Sequence, residues 1–149
     1  MTPKQQLDSF LKKYDPKIAG IARRALAKMR KFVPGATEIV YDNYNALVIG
    51  FGPNEKASLA IFSIALYPRW VNLFFLQGAK LSDPTRRLRG SGNVVRSVRL
   101  EDETFDDPEI QKLMNVALIR ATTPIDPKQR RRLVIRSVSV KQRARRPSV

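Results

Sequence analysis

The sequence predicts an α+β fold in which helices from both ends of the chain pack on one face of an antiparallel sheet of five or six strands. Three observations carry this: apolar residues at helical spacing as far as Phe32, β-branched and aromatic runs between turn residues up to Leu100, and a second helical pattern after Asp107. At 149 residues, 43% of them hydrophobic, the chain is long enough to bury one core without disulfides or a structural metal.

Thr2 before Pro3, with Gln5 three positions on, reads as a capping box opening a short helix whose apolar stripe is Leu7, Phe10 and Leu11. Asp15 and Pro16 restart the helix. Ile18, Ile21, Ala22, Ala25, Leu26, Met29 and Phe32 keep a core-facing rhythm until Pro34 and Gly35 end it. Strands are expected over 37–42, 46–51, 58–67, 70–76 and 94–100. Their connections suit antiparallel neighbours, apart from the excursion before the fifth. The last helix starts at Asp106 or Asp107, holds Pro108 in its first turn, and buries Ile110, Leu113, Met114, Ala117 and Leu118. A basic segment, 127–149, follows the domain at 1–126, and its β-branched stretch 133–140 is expected to add an edge strand. Apolar residues line both faces of the third and fourth strands, with Leu59, Ile61 and Ala65 opposed to Ala60, Phe62, Ile64 and Leu66. A single helix layer would leave part of that surface bare, to be covered by a homodimer interface or a ligand cavity.

Charge sets the expected partners. The net charge is +15, and residues 127–149 hold nine basic side chains and no acidic one, which attracts polyanions such as nucleic acid. Cysteine and histidine are both absent, which excludes thiol catalysis, disulfides, zinc-finger ligand sets and imidazole acid-base chemistry. No catalytic residue, cofactor or metal site is assigned. Without a signal-type apolar region or an apolar run of roughly 18 residues, a cytoplasmic protein with no membrane partner is expected.

Four groups of residues have both a structural and a functional reading. Glu101, Asp102, Glu103, Asp106, Asp107 and Glu109 offer oxygen ligands for a hard cation, or favourable charge at a helix N-terminus. Lys17, Arg24, Lys28 and Lys31 form a basic stripe or a solvated helix face. Arg86, Arg87, Arg89, Arg96 and Arg99 surround Gly90-Ser91-Gly92 as an anion site or as a loop, with Gly90, Gly92 and Arg96 forming a structural corner. The aromatics Tyr41, Tyr44, Phe51, Phe62, Tyr67, Trp70, Phe74 and Phe75 provide core packing or a stacking platform for bases. The anion-binding set is therefore Arg87, Arg89, Arg96, Arg130, Arg131, Arg132, Lys141, Arg143, Arg145 and Arg146. A ligand pocket would use Tyr41, Tyr44, Trp70 and Arg96.

At YNALVIGF, YPRWVNLFFLQGAKLSDP and LRGSGNVVRSVRL the chain resembles the YdhG-like family of domains of unknown function, over roughly residues 5–121. The resemblance rests on the 70–75 strand, Gly78, Leu81, Asp83-Pro84, Gly90, Gly92 and Arg96. It implies a frataxin-like sandwich with the terminal helices on one face of the sheet. Some members are linked to iron handling, but the N-terminal helices here are basic where frataxin-type iron binding relies on acidic ones. The basic ending resembles the tail of a subset of these proteins. The expected function is a non-enzymatic binding or accessory domain that contacts a polyanion through this tail; the alternative is small-ligand or metal handling.

Overall fold

Thr2 opens helix α1 (Pro3–Leu11): its hydroxyl accepts the Gln5 N–H and the Gln5 side chain accepts the Thr2 N–H, the reciprocal cap its spacing predicts. Helix α2 (Pro16–Phe32) again starts on proline, and α3 (Pro108–Arg120) starts behind Asp107, whose carboxylate accepts the Glu109 N–H. Between them lie the strands β1 (Thr37–Asp42), β2 (Leu47–Gly52), β3 (Phe62–Leu66), β4 (Val71–Phe75) and β5 (Arg96–Leu100), and β6 (Arg132–Val138) comes last. The computed structural model describes residues 1–148.

The strands form one sheet in the order β5-β4-β3-β2-β1-β6. Neighbours are antiparallel except at one edge, where β6 runs parallel to β1. The all-antiparallel expectation is thus corrected to a mixed sheet. The reason is the route of the chain: after α3 it returns to the start of β1, where Gly35 sits at φ +83° and a Cβ would lie 2.1 Å from the Asp126 carbonyl oxygen. Gln129 then donates to the Gly35 and Pro53 carbonyls. Anchored there, the last strand can only run alongside β1 in the same direction.

Period-two alternation sorts the sheet into two faces. Phe51, Phe62 and Phe75 stand in register on one row, with Ile49, Ile64 and Leu73 on the next, and all are buried in a single core with the three helices. Phe62 meets Phe75 edge-on at 5.6 Å and Phe32 of α2 at 6.3 Å. Burying each such side chain contributes about 1.5–3 kcal/mol. The opposite face is narrower in its apolar content than expected. β3 begins only at Phe62, and it presents Ser63 and Ala65 there, opposite Gly50 and Val48 of β2. Leu59 belongs instead to a single 3₁₀ turn, 57–59, in a connection that Arg132 and Arg136 hold through Glu55. The chain itself therefore supplies some of the cover for which a second subunit or a ligand cavity was expected.

The excursion between β4 and β5 is ordered by its own polar groups. Asp83 accepts the N–H groups of Arg87 and Leu88, Arg89 exchanges both backbone hydrogen bonds with Ser97, and Arg96 donates to the Gly92 and Val95 carbonyls. Gly90, at φ +129°, is the constrained residue of this corner. Gly92 is not: a Cβ there would meet nothing within 4 Å, because its carbonyl rather than its backbone conformation serves the corner.

Candidate functional site

Tyr44, Tyr67 and Trp70 come from two hairpin turns, and both turns project from the same end of the sheet because alternate turns of a meander must. Arg99 arrives at this end on β5, opposite Asn72. Its guanidinium lies over the Trp70 ring at 4.9 Å, and Tyr67 stands 5.9 Å from Trp70. Since β6 is parallel to β1, the segment after Val138 is delivered here too. Arg143 then donates its N–H to the Tyr44 carbonyl and lays its guanidinium over the Tyr44 ring at 5.6 Å. Between the turns and this segment is a cleft of about 430 Å³, lined by Asn45, Tyr67, Pro68, Arg69, Trp70, Arg143 and Ala144.

The electrostatics of the cleft are one-sided. Among the described residues none of Arg69, Arg99 and Arg143 is ion-paired and no carboxylate lines the cleft. Trp70 and Tyr44 remain 36% and 42% exposed beneath the guanidiniums of Arg99 and Arg143, so part of each residue is open to a ligand. Burial pushes the Tyr67 hydroxyl above its ordinary pKa. Three cations interleaved with three aromatic rings can take an anion that also carries flat unsaturated groups.

A buried acid holds the C-terminal segment in place. Asp42, 0% exposed, accepts from Lys13 at 2.8 Å and from Arg145 at 2.9 Å, and Gln142 donates to its backbone carbonyl at 3.1 Å. Burial alone would push the Asp42 carboxyl up, but hydrogen bonding by Lys13 and Arg145 outweighs it and holds the group below the usual carboxylate value. Arg145 also donates to the Asn43 and Tyr44 carbonyls, and its Nε has no partner among the described residues. At the other end of β1, Arg30 grips buried Glu38 with two nitrogens, and Arg131 joins it at 3.7 Å.

The predicted anion set therefore divides. Arg131, Arg132, Arg145 and Arg146 pair with Glu38, Glu55, Asp42 and Asp15, while Arg87 pairs with Asp107. Arg130, Lys141 and Arg143 are exposed and Arg89 lies beside β5. The predicted pocket is not assembled. Arg96 pairs with Phe75 at one end of β4 while Trp70 precedes Val71 at the other, and Tyr41 is three strands away on β1. Tyr44 and Trp70 do flank the observed cleft. Arg69 is the member sequence reasoning missed, although it directly precedes Trp70 in the turn; Tyr67 and Arg99 were named only in the separate aromatic and arginine groups and not joined to one site.

Two other charged groups neutralise each other. Arg24 of α2 donates to the Asp102 carboxylate at 2.6 Å, and Lys28 donates to the Asp102 backbone carbonyl at 2.7 Å and approaches the Asp106 carboxylate at 3.9 Å. Over these residues the basic stripe and the acidic stretch form a single structural contact. No three acidic side chains converge as a metal-binding group among the described residues, and no helix of the described chain is long and apolar enough to cross a membrane. No family model, curated protein or solved structure matches the chain.

Proposed function

We propose that this protein binds single-stranded nucleic acid, with bases stacked against Trp70 and Tyr44 and phosphates met by Arg69, Arg99 and Arg143. The observation that carries the reading is that Arg69 and Arg143 line the cleft, with Arg99 over its Trp70, none of them with an acidic partner among the described residues, beside the exposed aromatic rings of Trp70 and Tyr44. A single strand fits this chemistry better than a duplex, whose base faces are already stacked and whose grooves require projecting donors in a fixed array. Sequence preference should be weak, since every base has a stacking face. The proposal moves the contact from the tail as a whole to the residues of it that meet the two turns.

Trp70 is the only tryptophan, so its fluorescence reports on the cleft alone. Short oligo-dT and oligo-U titrations should quench it, with affinity falling as salt rises because bound counterions are released. Inorganic polyphosphate of equal charge should bind more weakly and leave the emission nearly unchanged. Absence of quenching at low salt, or equal affinity for polyphosphate, would overturn the reading.

A further inference from the structure

We propose that a second cleft, at the opposite end of the sheet, binds a small amphipathic carboxylate. It lies between the C-terminus of α3, the 57–61 connection and the residues following β4, with a volume of about 270 Å³. Phe75 and Ile61, 1% and 8% exposed, and half-buried Leu81 give it an apolar floor. Lys80 and Arg120, both exposed, come from two separate elements to its rim. Neither is ion-paired among the described residues, and no carboxylate lines the cleft.

Each half of this arrangement selects for a different portion of the ligand. A cation in the last turn of a helix is favoured by the helix's carbonyl end, which accounts for Arg120 but not for Lys80 across the opening. Two cations that line one apolar cleft, with no carboxylate among its described lining residues, draw an anion to it. The apolar floor rewards a hydrocarbon body on the same ligand. Size limits that body: at ~30 Å³ per water, the cleft holds about nine waters' worth of ligand. Hexanoate, with about eight non-hydrogen atoms, fits this limit, and so small a ligand should bind weakly.

The site is independent of the Trp70 cleft, because the two lie at opposite ends of β4. Titration of the full chain with sodium hexanoate, followed by amide NMR, should give saturable shifts at Gln77, Leu81, Ala117 and Thr123 and none around Trp70. Replacing both rim cations, Lys80→Gln with Arg120→Gln, should weaken binding about fivefold or more. Ala117→Leu should fill the floor and abolish it. Shifts of equal size with hexanol, shifts no larger than those from acetate, or unchanged affinity in the doubly neutralised protein would each overturn the proposal. The surface double variant retains the core, so it decides the matter even if the Ala117 variant is poorly folded.

Discussion

Arg143 and Arg145 are two positions apart and have opposite roles. Arg145 is 6% exposed and bound to the buried Asp42 carboxylate; Arg143 is exposed, lies over Tyr44, and has no acidic partner among the described residues. The difference comes from what surrounds each guanidinium. One joins Lys13 in neutralising a carboxylate buried inside the fold. The other keeps its charge available, on a backbone that Arg145, Gln142 and Ser139 hold against the β1–β2 turn. A count of basic residues in this segment therefore measures two things at once: the anchoring of the tail and its capacity for an anion.

The comparison breaks most sharply at Asp42. Asp42→Ala leaves Arg145 buried without its partner, and the expected loss of unfolding free energy is about 3–5 kcal/mol by denaturant titration. A loss under about 1 kcal/mol would show that the anchor is dispensable. A smaller effect is expected at the β4–β5 corner. Gly90→Val must adopt a conformation that disfavours side chains, costing about 1–3 kcal/mol, whereas Gly92→Val should melt with the parent protein. Equal melting of the two variants would remove the distinction.

Arg143→Ala tests the outward-facing side. It should leave stability within about 0.5 kcal/mol of the parent and weaken oligonucleotide binding roughly tenfold, the equivalent of about 1.4 kcal/mol. A stability loss comparable to that of Asp42→Ala would place Arg143 among the anchoring residues. The smallest effect is in the pH dependence. Because the folded Asp42 pKa is depressed, its contribution is complete above the unfolded value of about 3.9 and is lost as pH falls through the folded value. Parent stability should thus decline more steeply below about pH 4 than that of Asp42→Asn. Parallel curves in that range would contradict the assignment.

Local patterns were informative wherever neighbours in sequence are also neighbours in space. The Thr2–Gln5 cap, the prolines opening all three helices, and the apolar run that buries Phe62, Ile64 and Leu66 are visible in the chain because each depends on spacings of a few residues. The same reasoning overextended the third strand to residues 58–67, because apolar residues in the 3₁₀ turn resemble a strand when only composition is read. It also kept Arg96 with Trp70, which strand register separates by the length of β4.

Sequence by itself thus determined the helices, the meander of β1 to β5, the buried faces and the excess of positive charge, since periodicity and side-chain chemistry act over short distances. Only the tertiary structure decided which charges remain available. Pairing such as Arg145 with Asp42 spans 103 positions, and no local pattern encodes it. The direction of β6 was decided at the same level. Had that strand run antiparallel to β1, residues 139–146 would have emerged at the other end of the sheet; the parallel course fixed through Gly35 and Gln129 brings Arg143 to Tyr44, beside Trp70 and Arg99.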